Sequence, residues 1–133
     1  ELEVHRRDEA GEALTKEELN EIYYNLNKKY YGDEINIDEK ISWEWARIPH
    51  FYTAFYVYQY ATGYSAAIAL SQRILKENGK DDYINFLKGG SSKYSIDLLK
   101  GAGVDMTTAE PVEKAMEVFA NLLDEMENLL TEE

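Results

Sequence analysis

Apolar residues recur at helical spacing in the first part of the chain. Thr15-Lys16-Glu17-Glu18 has the spacing of a capping box, in which the Thr side chain accepts from a backbone amide and the Glu reaches back. Apolar positions then repeat every three or four residues: Leu19, Ile22, Tyr23, Leu26 and Tyr30. This spacing predicts an amphipathic helix that ends at Gly32. We expect residues 2–8 to be the end of an earlier helix that begins upstream of Glu1.

The middle of the chain is less regular. Residues 33–48 alternate weakly between apolar and polar positions and lead into Ile48-Pro49. Proline disfavours helix at the residue before it and suits the first turn of a helix after it. We therefore predict a long helix at about 50–77, closed by Asn78-Gly79.

Glycines separate two short helices in the next segment. One helix is predicted at about 81–88, where Gly89-Gly90 follows. A second is predicted at about 96–100, with Ser95 as its N-cap and a glycine after it.

Pro111 opens a last, long helix. Its apolar residues form one stripe: Val112, Ala115, Met116, Phe119, Leu122, Leu123, Met126 and Leu130. The acidic residues from Asp124 to Glu133 are expected to be solvated. All predicted elements are helices, so the predicted fold class is all-α, in a single region over residues 1–133.

Charge and composition exclude several classes of protein. The formal net charge is −12, with 26 acidic against 14 basic residues, which disfavours binding to nucleic acid or anionic lipid. The chain has no cysteine, so it can form neither disulfides nor thiolate zinc sites. This composition fits a reducing compartment. The first residue is Glu1 rather than Met, which suggests a piece of a longer protein.

The segment between Arg47 and Arg73 contains no formally charged residue. It passes a length test for a membrane span, but Pro49, His50, two glutamines and five tyrosines would place too many polar groups in hydrocarbon. A buried central helix is the better interpretation. Small residues dominate its second half, which we expect to be core.

The tyrosines of this segment allow two interpretations. Four of them recur every fourth residue and would form a slowly turning stripe on a helix: Tyr52, Tyr56, Tyr60 and Tyr64. They are either an aromatic core stripe with satisfied hydroxyls or the lining of a polar cavity with His50 at its mouth. The two histidines, His5 and His50, show no local metal-ligand spacing, and no HExxH pair occurs. From the residues alone there is a plausible cavity wall without a complete catalytic set.

Four stretches of the chain resemble the C-terminal part of the oligoendopeptidase F family, zinc metallopeptidases related to thimet oligopeptidase. They are HRRDEAGEALT, YYG, EWARIPHFYTAFYVYQYATGYSAAIAL and LLKGAGVDM, in the family's order. The resemblance implies a larger, mostly helical peptidase with a deep channel. It also implies a zinc ion in the parent enzyme, held by an HExxH helix and a downstream glutamate that lie upstream of this segment and are absent from it.

The resemblance implies roles for individual residues. His50 and Tyr56 are expected to be catalytic, as hydrogen-bond donors to the substrate carbonyl or the oxyanion. Tyr52 and Tyr60 are expected to bind substrate. Arg47 is expected to be structural and to anchor its loop through a buried carboxylate. No metal ligand is assigned to this chain, and the chain alone is expected to be inactive.

These expectations define the partners and the alternative function. The expected partners are an oligopeptide substrate and the upstream portion of the same peptidase, in the cytoplasm, with neither nucleic acid nor membrane. The isolated chain is expected to self-associate through apolar surface that lacks its neighbour. The alternative is a non-catalytic helical module that binds a peptide or protein through an aromatic groove.

Overall fold

The computed structural model describes residues 1–131, and every regular element in that range is helical. The elements are α1 Leu2–Glu9, α2 Lys16–Tyr31, two 3-10 helices Glu39–Arg47 and Pro49–Tyr52, α3 Tyr58–Lys76, α4 Lys80–Gly89, α5 Ser95–Gly101 and α6 Glu110–Thr131. The all-α prediction is confirmed. The end of the predicted acidic tail, Glu132 and Glu133, lies outside the described residues.

The chain forms two compact units, an N-terminal unit of Glu1–Gln59 and a C-terminal unit that begins at Tyr60. Each has its own packing and is described by itself. That residues 1–133 act as one functional region stays a prediction.

The N-terminal unit is organised around α2, as its sequence predicts. Thr15 accepts from the Glu18 backbone N–H, and Glu18 accepts from the Thr15 backbone N–H at 2.8 Å, so the capping box forms. Gly32 ends the helix. The following 3-10 helix is joined to α2 by a hydrogen bond of 2.8 Å from Trp45 Nε1 to Asn20 Oδ1.

The predicted helix at 50–77 begins later than expected. Residues 49–52 form a 3-10 turn, a bend follows, and α3 starts only at Tyr58. Phe55 has φ +58°, a backbone conformation that no α-helix contains. The prediction for residues 50–57 was therefore wrong, although the end of the helix near Lys76 and Asn78 was right.

The core of the C-terminal unit is small. It consists of Ala66, Ala69, Leu70, Ala102 and Val104, with Tyr83, Phe86, Leu99 and Met106 packed around it. The prediction of core in the small-residue half of α3 holds for Ser65, Ala66 and Ala69, whereas Ala61 and Ala67 are exposed.

Helix α5 begins one residue away from its predicted cap. Tyr94 is the N-cap residue, with extended backbone and no side-chain cap hydrogen bond, and Ser95 is already helical. The Ser95 cap prediction was wrong. Helix α4 extends over the predicted segment and ends at Gly89.

The apolar stripe of α6 is largely exposed among the described residues. Pro111 and Ala115 are buried, whereas Met116, Phe119, Leu122 and Leu130 are all more than half exposed. Within residues 1–131, none of the helices combines the length and hydropathy needed to span a bilayer.

Candidate functional site

His50 and Tyr56 are brought together in the N-terminal unit. Their ring centroids lie 5.3 Å apart with an angle of 29° between the planes, so the rings are stacked. His50 is half-buried in the 3-10 turn, and Tyr56 follows the bend with 40% of its surface exposed. The two residues predicted to be catalytic therefore present an imidazole and a phenol side by side at the surface of this unit.

Phe55, the residue before Tyr56, lies in a strained turn. A positive φ at a bulky residue costs on the order of 1–3 kcal/mol and persists only where the surroundings enforce it. His5 of α1 stacks on the Phe55 ring, with centroids 4.4 Å apart and planes 8° apart. The Gln59 side chain donates to the Phe55 carbonyl at 3.0 Å, and the Tyr56 N–H donates to the Thr53 carbonyl at 3.3 Å.

Tyr52 is placed by a different contact. Its hydroxyl donates to the backbone carbonyl of Ala46 at 2.7 Å, and 68% of the residue is exposed. Arg47 pairs with a carboxylate, that of Glu44, but this side chain is 27% exposed and therefore only partly buried, in contrast to the buried partner that was predicted.

The predicted tyrosine stripe is not a continuous helical stripe. Tyr52 and Tyr56 precede α3, and only Tyr60 and Tyr64 share the helical spacing. Tyr60 is the first residue of the C-terminal unit and is 60% exposed there. The interpretation of these residues as a buried stripe was wrong, since all four tyrosines are exposed.

A largely apolar cavity of about 410 Å³ adjoins the His50 segment within the N-terminal unit. Its lining comes from α1, α2 and the 45–54 segment: Glu1, Glu3, Val4, His5, Leu19, Ile22, Tyr23, Leu26, Trp45, Phe51, Tyr52 and Ala54. This volume lies in the range of small-ligand and side-chain pockets. Tyr52 is the predicted site residue that borders it.

Tyr23 is a titratable group of this region whose pKa is shifted by burial. Burial raises its pKa, and the neighbouring Glu44 carboxylate adds to the effect, so the phenol stays protonated and able to donate. Its ring meets Phe51 edge-to-face, with centroids 6.4 Å apart. Neither Tyr23 nor His5 was predicted to belong to the site, because Tyr23 lies in an ordinary apolar stripe and His5, although it opens the family-like HRRDEAGEALT stretch, has no metal-ligand spacing around it.

The described residues do not fit a metal site. Among residues 1–131, no group of three or more His, Asp and Glu side chains could hold a metal ion. His5 and His50 instead make aromatic contacts with Phe55 and Tyr56. No chemical step through a metal is therefore assigned to the residues of this chain.

Comparison with known proteins decides the family. The model of Peptidase family M3 matches residues 1–118, which include every predicted site residue. The chain belongs to peptidase family M3. The predicted resemblance to the oligoendopeptidase F family is confirmed as well.

Relatives within family M3 match nearly the whole chain. Oligopeptidase PepF of Bacillus subtilis is 62% identical over 96% of this chain and 19% of its own length. Group B oligopeptidase PepB of Streptococcus agalactiae is 47% identical over 96% of this chain and 22% of its own length. The crystal structure of oligoendopeptidase-F from Enterococcus faecium superposes with a TM-score of 0.87 at 46% identity, covering 95% of this chain and 25% of that protein. The chain thus spans about a fifth to a quarter of the M3 relatives that it matches.

Proposed function

We propose that this chain is one wall of the peptide-binding cleft of a cytoplasmic oligoendopeptidase, which hydrolyses internal bonds of short peptides. The observation that carries the proposal is the stacked pair of His50, in the RIPHFY segment, and Tyr56, four residues after that segment, with ring centroids 5.3 Å apart in a chain of family M3. The names of the relatives, an oligopeptidase and oligoendopeptidases F, support peptides as the substrate class.

The chemistry of the pair suits a carbonyl that becomes an oxyanion. An imidazole N–H and a phenol O–H both donate hydrogen bonds, and donors fixed in place stabilise the developing negative charge more than the neutral carbonyl. A neutral donor also loses less hydration than a lysine ammonium when a substrate covers it. We assign His50 and Tyr56 to this role.

Tyr52 and Tyr60 are proposed to contact the substrate away from the reacting carbonyl. Both phenol rings are exposed in their own units, at 68% and 60%. The Tyr52 ring is held through its hydroxyl by the Ala46 carbonyl, so it offers a fixed apolar surface beside the cavity. Tyrosine combines a large apolar contact with few rotatable bonds, which suits recognition of varied peptides.

Zinc is proposed as the cofactor of the parent peptidase, with all its ligands in the upstream portion. The upstream portion is then an obligatory partner, and this chain alone is expected to cleave no peptide.

Steady-state kinetics of the whole peptidase, numbered here as in this chain, tests the role of the pair. We expect His50→Gln and Tyr56→Phe each to lower kcat by about 100- to 1,000-fold, as loss of an oxyanion donor does, with little change in KM. Tyr30→Phe removes a hydroxyl from an exposed position of α2 and is expected to leave kcat unchanged. Wild-type kcat in both site variants, with unchanged metal content, would contradict the proposal.

One observation favours the alternative function, a non-catalytic interaction module. The aromatic residues between Tyr52 and Tyr64 are exposed, as a free binding groove requires. Calorimetric titration of this chain with oligopeptides tests it. Micromolar binding by the chain without the upstream portion, combined with full activity of a His50→Gln peptidase, would favour the module over the cleft wall.

A further inference from the structure

The strained residue Phe55 directly precedes Tyr56. Its φ of +58° lies in the left-handed region, where bulky side chains are rare. The direction of the chain at residue 55 sets where the Tyr56 ring can lie. A population of molecules that relaxed this turn would move Tyr56 away from His50.

A contact with a residue distant in the sequence stabilises the strained conformation of Phe55. His5, on α1, lies with its ring parallel to that of Phe55 at a centroid distance of 4.4 Å, close enough for direct stacking. The Phe55 carbonyl is held at the same time by the Gln59 side chain at 3.0 Å. The ring and the carbonyl of the strained residue thus have separate partners.

We infer that His5 and Phe55 form a support that holds Tyr56 beside His50, which makes His5 a positioning residue of the site. The inference rests on the proposed function of His50 and Tyr56. Stacking of His5 on Phe55 raises the fraction of molecules in which His50 and Tyr56 are paired. Activity is proportional to that fraction.

Substitutions in the whole peptidase separate ring stacking from other roles of His5. His5→Phe keeps a ring that can stack, whereas His5→Leu has similar bulk and no ring. We expect His5→Leu to lower kcat by about 2- to 10-fold, the range for an aromatic pair, with KM within about twofold of wild type. His5→Phe is expected to restore kcat. Arg6→Ala, an exposed change on the same helix, is the control.

Substitutions at Phe55 test the other half of the support. Phe55→Gly removes the ring but adopts a positive φ without cost, whereas Phe55→Ala removes the ring and keeps the strain. We expect the Ala variant to lose more activity than the Gly variant. Adding His5→Leu to Phe55→Gly is expected to lower kcat no further, because both changes remove the same contact.

The outcomes distinguish this inference from the function on which it rests. Low activity of His50→Gln and Tyr56→Phe, with wild-type kcat in His5→Leu, would overturn the positioning role alone. The positioning role would also be overturned if kcat of the His5→Leu, Phe55→Gly double variant fell by the product of the two single losses. A His5→Phe variant with kcat as low as that of His5→Leu would overturn it too. Wild-type activity of His50→Gln and Tyr56→Phe would contradict the proposed function and the positioning role with it.

Discussion

The side chain of Arg73 occupies the space that any side chain at position 103 would need. A Cβ built on Gly103 would lie 2.7 Å from Nε of Arg73, closer than real Cβ contacts allow. The same Nε donates to the Ala102 carbonyl at 3.0 Å, which fixes the guanidinium against the backbone. Gly103 also has φ +82°, so a side chain at this position would strain the backbone and would have to displace the Arg73 guanidinium from its hydrogen bond.

Gly103→Ala is expected to destabilise the chain by about 2–4 kcal/mol, because backbone strain and steric overlap add. Gly11→Ala is the matched control. Gly11 also follows the C-cap of a helix with a positive φ, +74°, but nothing lies within 4 Å of its Cβ position. Urea unfolding followed by circular dichroism measures both variants. Equal losses of unfolding free energy in the two variants would contradict the steric argument.

Arg73→Met is expected to lower the free energy of unfolding by about 1.5–3 kcal/mol, the range for hydrogen bonds to charged groups. The guanidinium pairs with Glu77 at 2.8 Å and with Asp82 at 3.3 Å, besides its bond to the Ala102 carbonyl. Its side chain is 23% exposed, so solvent screens these contacts only in part. Lys76→Met, an exposed change near the end of the same helix, controls for the lost charge. Thermal unfolding of the two variants at equal ionic strength compares them, and equal stabilities would refute the role of Arg73.

The stability of the chain is expected to depend on Asp105 at acidic pH. Hydrogen bonds from Lys100 and then from Thr107 lower the pKa of Asp105 from 3.8 to about 2. The ionised form therefore stabilises the folded state above pH 3.8, and this contribution disappears as the pH falls towards 2.

Melting temperatures of wild type and Asp105→Asn across pH 2–7 test this dependence. The difference between them should be largest above about pH 5 and should close as the pH approaches 2. Asp124→Asn makes the same change of charge on exposed α6. A difference of constant size at all pH values would contradict the assignment to Asp105.

The isolated chain is expected to self-associate through α6. Phe119 and Leu123 lie in its exposed apolar stripe, and burying such a stripe between copies removes it from water. The net charge of −12 opposes association, so added salt should strengthen it. Phe119→Glu should shift light scattering towards the monomer, whereas Ala120→Glu, off the stripe, should do so less. A monomer at all concentrations and salt levels would contradict the prediction.

The helices whose ends carry local chemical signals could be predicted from the sequence. The Thr15–Glu18 capping box and Gly32 bound α2 as predicted, because these signals act within one turn. Helix α6 also appears where Pro111 and its apolar spacing place it. Its burial could not be predicted, because periodicity shows which face is apolar without showing what covers it.

The candidate site was predicted only in part. The spacing of the tyrosines matches a helix, but all residues at 51–57 except Ala54 are aromatic or β-branched and have only modest helix propensity. The Phe55 ring stacks on His5, fifty positions earlier, and a contact over that sequence separation leaves no local pattern in the sequence. The contact between His50 and Tyr56 therefore depends on tertiary structure. Their predicted catalytic role rests on the family resemblance.

Hydrolysis of a quenched fluorescent oligopeptide by two separately made portions tests the central claim most directly. One portion is this chain, and the other is the upstream remainder of the peptidase, folded and loaded with zinc. Activity is predicted only when the two are mixed, and the mixture made with His50→Gln should be about 100-fold slower or worse. Hydrolysis by this chain alone, or equal rates with His50→Gln and wild type in mixtures shown to associate, would contradict the claim that this segment supplies the His50–Tyr56 wall of the cleft.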